Sequence, residues 1–120
     1  MVEAAYIKKK AEYDLVYARG RLARSSMLYI KTMPNGLDYS RYGFIVSKRV
    51  GKAVVRNRVK RRLREIMRQA AIKPGWDMVV YTRPAAAAAG YDDLRNMILS
   101  LLGKAQLLTE RYEKTCPGND

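Results

Sequence analysis

Residues 51–68, GKAVVRNRVKRRLREIMR, most narrow what this chain can fold into. Val55, Val59, Leu63, Ile66 and Met67, with Ala70 just beyond, recur at three- and four-residue intervals. That is the period of an α-helix, and it gathers them into an apolar wedge of roughly 120°. A wedge of that kind is laid against a core, so the segment reads as a packed amphipathic helix and not as a loose basic tail. Lys60, Arg61, Arg64 and Arg68, with Asn57, fall on the opposite face, and Arg58 and Arg62 flank the wedge. A solvated helix face ordinarily mixes signs to gain Glu–Lys pairs. Residues 48–68 instead hold ten Lys or Arg and a single acid, Glu65. The pattern points to a surface that binds phosphates.

The rest of the composition agrees. A chain of 120 residues with 48% hydrophobic content suits one domain with one core. Lys and Arg number 24 against 11 acids, a formal net charge of +13. Self-repulsion on that scale is offset by a polyanionic partner, nucleic acid first and an anionic membrane as the rival. No run approaches the roughly 18 apolar residues of a membrane span. MVEAAYIKKKAEY has an early acid and no hydrophobic stretch, so no secretory signal is expected. The one cysteine, Cys116, lies in the polar segment TERYEKTCPGND; this implies no internal disulfide and suits a reducing cytoplasm. There is no histidine. Ser-His-Asp, Cys-His and His/Cys zinc sites are therefore excluded, and no metal site on the protein is expected.

Along the chain, residues 3–19 read as a helix ended by Gly20, with Ile7, Ala11, Leu15 and Ala18 on its core face. Tyr13 and Tyr17, four apart, share another face near Tyr6. Such a pair is either core packing or a platform on which bases stack. SSMLYIK (25–31) and SRYGFIVS (40–47) read as the strands of a hairpin turned by PNG, and DMVVYTR (77–83) as a third strand. The basic helix should end near Ile72, before KPGW. RPAAAAAG is either an early helix start or a loop. YDDLRNMILSLLGKAQLL (91–108) carries the apolar stripe Leu94, Met97, Ile98, Leu101, Leu102, Ala105 and Leu108. The expected fold class is α+β: a small sandwich in the order helix, strands, helix, strand, helix, with helices covering three or four strands. One domain is expected over 1–108 and a polar, flexible tail over 109–120.

Among polyanions, duplex DNA fits poorly, because strands precede the basic helix where a recognition motif needs a short helix and turn. A membrane would want an exposed apolar face with Trp or Phe, and this helix's apolar face is committed to the core. Folded RNA, gripped without sequence reading, fits better, with an aromatic surface elsewhere for a single strand.

The run SKRVGKAVVRNRVKRRLRE, built around Arg56-Asn57-Arg58, closely resembles the signature of the bacterial ribonuclease P protein family. KAEYDLVYARGR resembles that family's N-terminal helix, MLYIKTMPNGLDYSRYGFIVSKR its hairpin and PGWDMVVYTRP its later strand. The resemblance covers roughly residues 8–108. It implies a ribosomal-protein-like α/β sandwich whose crossover through the basic helix is left-handed, against the usual rule. It also implies a partnership with a catalytic RNA subunit that removes the 5′ leader of precursor tRNA. There the active site and its Mg²⁺ belong to the RNA, and the metals activate water and polarise the scissile phosphate. Carried over by position, Arg56, Asn57, Arg58, Lys60, Arg61 and Arg64 would face the RNA subunit, extended by Arg62 and Arg68. Tyr13 and Tyr17 would receive the leader, with Tyr29, Lys48, Arg49 and Arg83 as cleft partners. Two departures stand out: both helix aromatics are Tyr where Phe is common, and Ile45 stands where a small polar residue is frequent. The alternative is a stand-alone RNA-binding or ribosome-associated protein on the same scaffold. A protein that cleaves RNA by itself would need clustered carboxylates, and Asp14, Asp38, Glu65 and Asp77 are scattered in sequence.

Overall fold

The computed structural model describes residues 5–109; of the tail expected over 109–120 only Thr109 is described, its N–H donating to the Ala71 carbonyl at 2.8 Å, and the rest, with Cys116, lies outside the described residues. The elements are β1 (Ala5–Tyr6), α1 (Lys10–Arg19), β2 (Arg21–Arg24), β3 (Leu28–Pro34), β4 (Arg41–Ile45), α2 (Ala53–Gln69), β5 (Trp76–Thr82) and α3 (Tyr91–Lys104). Short 3₁₀ turns at Lys48–Val50 and Pro84–Ala87 follow β4 and β5. The α+β class holds, but the sheet has five strands where three or four were expected, in the order β1-β4-β5-β3-β2.

Period-two alternation sorts the strands' side chains between two helical layers. Leu28 and Ile30 of β3, Tyr42 of β4, and Met78 and Val80 of β5 face α2 and α3. There they meet Val59, Leu63, Ile66 and Met67, the buried part of the wedge read from the sequence, and Leu94, Ile98, Leu101 and Leu102 of α3. Burying each such side chain contributes about 1.5–3 kcal/mol. This core seats α2, so its basic face must point outward. The other sheet face carries a smaller cluster, in which Val16 of α1 packs with Ile7, Val79 and Tyr81.

Four expectations are corrected. The predicted hairpin does not form: β5 lies between β3 and β4, antiparallel to the first and parallel to the second. The hairpin partner of β3 is β2, Arg21–Arg24, which is too short and arginine-rich to read as a strand. The N-terminal helix begins at Lys10, because residues 5–7 pair with the open edge of β4: the Ala5 N–H donates to the Ser40 carbonyl and the Ile7 N–H to that of Tyr42, both at 2.9 Å. This leaves Ile7 buried off the helix, Leu15 45% exposed, and Tyr6 packed on Tyr42 on the far face of the sheet. Helices α2 and α3 end at Gln69 and Lys104, short of Ile72 and Leu108; those two residues instead form an antiparallel bridge.

Candidate nucleic-acid interface

The outer face of α2 is cationic along its length, but its side chains are not equally free. Asn57, Arg61 and Arg64 are exposed and Lys60 is half-exposed; none of the four side chains engages a partner among the described residues. Arg56 donates through Nε to the Gly51 carbonyl at 3.1 Å. That carbonyl belongs to a glycine at φ 152°, a backbone angle that L side chains rarely adopt. Arg62 donates to the Ala89 carbonyl at 2.7 Å, and Arg58 lies 3.4 Å from that of Ala87. Together these two tie the alanine run against the helix, with Ala86 and Ala89 buried beneath. The run left open in the sequence is thus a 3₁₀ turn docked on α2. Arg68 pairs with Glu65 at 2.7 Å, and this pair with the Gln69 amide lowers the Glu65 pKa, the Arg68 hydrogen bond foremost.

The α1 side of the sheet carries the aromatic surface. Tyr29 and Tyr81, paired in register on β3 and β5, stack with centroids 4.7 Å apart and planes within 9°. Tyr17 of α1 meets Tyr81 edge-on at 5.9 Å. Tyr81 itself is buried; burial, with Tyr29 and Tyr17 adding to it, pushes its hydroxyl pKa up to about 12. Tyr17 is 57% exposed and, with Lys31 over its ring, keeps only part of that ring open to solvent. Tyr13 is only partly exposed and lies across Gly43, where an added Cβ would come within 2.6 Å of its ring. Its hydroxyl pKa is raised by burial and partly restored by a hydrogen bond from the Phe44 backbone. Of the two predicted stacking tyrosines, Tyr17 is therefore presented to solvent, whereas Tyr13 mainly seats the helix.

Two devices hold α1 on the sheet. At its C-terminal end Lys31 donates to the Tyr17 carbonyl at 2.7 Å, satisfying an orphan of the last turn, and its ammonium sits 3.8 Å from the Tyr17 ring centroid. At the other end Glu12 accepts from the Lys9 N–H at 3.1 Å and from Arg41 at 2.7 Å. Arg41 also grips the buried Asp77 through two hydrogen bonds of 2.8 and 2.6 Å, and Asn35 completes the set at 2.9 Å. The Lys9 hydrogen bond first, then Arg41, hold the Glu12 pKa below its ordinary value. Asp77 and Glu12 are structural acids here, and no group of three or more His, Cys, Asp or Glu gathers among the described residues. No helix among them is long and apolar enough to cross a membrane.

The two surfaces approach one another where the parallel strands β4 and β5 end. Arg83 directly follows β5 and stands 5.5 Å from the Tyr29 ring. Lys48 and Arg49, exposed, sit in the turn after β4, which packs against the turn after β5 and leads into α2. They do not line the tyrosine groove, which is bounded by Tyr17, Leu22, Arg24, Tyr29, Lys31 and Arg83. Ile45 is 41% exposed opposite Tyr81, so the noted departure does border the aromatic surface. Sequence reasoning missed Tyr81, Lys31, Leu22 and Arg24. The alternation Asp77, Val79, Tyr81 marks one face of β5, but its meeting with Tyr29 depends on the β3–β5 pairing, which the hairpin reading did not supply.

Comparison with known proteins agrees with this geometry. The Ribonuclease P family model matches residues 1–106. A "Ribonuclease P protein component" from Dehalococcoides mccartyi (strain CBDB1) is 46% identical over 115 residues, covering 96% of each chain. The Staphylococcus aureus RNase P protein superposes with a TM-score of 0.80 at 29% identity, over 89% of this chain and all of that one. The Thermotoga maritima RNase P protein does so with a TM-score of 0.76 at 30% identity, over 82% and 96%. A basic helix set on a mixed five-stranded sheet, an aromatic groove on the opposite face, and likeness along nearly the whole length lead to one assignment: the chain belongs to the ribonuclease P protein family.

Proposed function

We propose that this chain is the protein subunit of ribonuclease P, acting in 5′ maturation of tRNA in the cytoplasm. In this reading α2 docks on the RNA subunit through Arg61, Arg64, Lys60 and Asn57, with Arg56 and Arg58 at the edge of the contact. The groove at Tyr17 and Tyr29, rimmed by Arg83 and approached by Lys48 and Arg49, takes the single-stranded leader of precursor tRNA. Hydrolysis and the Mg²⁺ it needs belong to the RNA subunit and substrate; the protein binds and orients. One observation carries the reading: a cationic helix face with unengaged side chains and a tyrosine groove lie on opposite sides of the sheet, and the turn that leads into α2 packs against the turn that follows Arg83 of the groove. One folded RNA and one single strand emerging from it can then be held together.

The groove is tested by Tyr17→Ala. Loss of one stacking ring should cost on the order of 1–3 kcal/mol of affinity for precursor tRNA and leave mature tRNA, which has no leader, unaffected. Equal losses for both ligands would remove the leader from the groove. RNA affinity with no dependence on a leader would favour the stand-alone RNA-binding alternative.

A further inference from the structure

Half of the groove is walled by residues that the reading above does not use. The groove has a volume of about 380 Å³, within the range of small-ligand sites. Arg24 stands opposite Tyr29 in the β2–β3 register, and Leu22 opposite Lys31. Directly opposed residues of an antiparallel pair share a face, so Leu22 and Arg24 belong to the same surface as the tyrosines. β2 is the edge of the sheet, and Leu22 is 47% exposed there.

The lining carries three cations and no acid, and the three are differently committed. Lys31 is held by the Tyr17 carbonyl and ring, and Arg83 stands 5.5 Å from the Tyr29 ring. The Arg24 side chain engages no partner among the described residues. An open leucine and an unengaged guanidinium therefore continue the aromatic row outward. They combine an apolar surface for a base with a charge for a phosphate.

We propose that the Leu22–Arg24 edge is a further subsite of the groove. It takes one unpaired leader nucleotide farther from the cleavage site than those on the tyrosines, with the base against Leu22 and the phosphate on Arg24. The strand then leaves the protein across β2, two strands away from β5 and from the turns that lead to α2. The contact is to phosphate and an apolar surface, so it extends the site without reading sequence. This inference rests on the leader assignment made above.

The test uses holoenzyme and precursor tRNAs whose leaders are shortened one nucleotide at a time, with Arg24→Ala, Leu22→Ala and Arg83→Ala. Arg24→Ala should lose about tenfold in affinity with long leaders, the worth of one charge-assisted contact. That loss should vanish below a threshold leader length, while the Arg83→Ala loss persists to shorter leaders. A loss that is the same at every length, or no loss at any length, overturns the subsite. Weaker binding of the RNA subunit by Arg24→Ala in the absence of tRNA also overturns it, by assigning the edge to assembly. Failure of the leader assignment itself would look different, because Arg83→Ala and Tyr17→Ala would then lose their leader dependence too.

Discussion

Arg61 and Arg62 are neighbours of identical chemistry with different commitments. Arg61 is exposed and unengaged among the described residues, whereas Arg62 reaches back to the Ala89 carbonyl at 2.7 Å. If each phosphate neutralised contributes about 0.7–0.9 to the slope of log affinity against log salt, Arg61→Ala should lower that slope for RNA-subunit binding by about one such increment. Arg62→Ala should leave the slope unchanged while loosening the 3₁₀ turn that follows Arg83. A salt titration of both variants decides it; equal slope losses would make Arg62 a phosphate ligand. The sequence made the cationic face legible because charge and helical period are local properties. It did not separate its free members from its tethered ones, because the carbonyls that capture Arg58 and Arg62 come from residues 87 and 89, brought over by tertiary packing.

At the scale of the element, α1 shows where reading the sequence stops. Its apolar stripe predicts burial of Leu15, yet the helix seats through Val16 and Tyr13, and Leu15 is exposed. Tyr13 fits because position 43 of β4 has no side chain. Gly43→Ala should push the ring off the strand and cost about 1–3 kcal/mol of stability, the usual range for overpacking, measured by denaturant unfolding. An unchanged midpoint would mean that α1 does not rely on this close approach. Strands β3, β4 and β5 and helices α2 and α3 were all visible from their periods, and turn residues marked their ends. Their pairing was not, since placing β5 between β3 and β4 joins segments more than thirty residues apart in the β4–β5 register. A turn such as Pro34-Asn35-Gly36 signals a reversal without saying which strands become neighbours.

The whole molecule combines a formal charge of +13 with few acids, and two of those acids, Glu12 and Asp77, are joined through Arg41 in holding α1 to the sheet. Glu12 and Glu65 have pKa values lowered in the folded state. Their contributions are therefore present above the ordinary carboxylate value of 4.5 and are lost as pH falls through the folded values. Tyr81 works in the other direction. Raised from 10.0 to about 12, it stabilises the fold below pH 10 and loses that contribution as pH rises towards 12. Tyrosinate absorbance should show late titration that is reduced, with Tyr13 still contributing, in Tyr81→Phe; an unchanged titration in that variant would contradict the buried stack. The central claim concerns division of labour between this chain and RNA. It is tested most directly by cleavage of precursor tRNA with a bacterial ribonuclease P RNA at low Mg²⁺, with and without this protein. Site-specific 5′ cleavage that requires both components is the predicted result. Cleavage by the protein alone, or no stimulation across several RNA subunits while RNA binding remains intact, would contradict it.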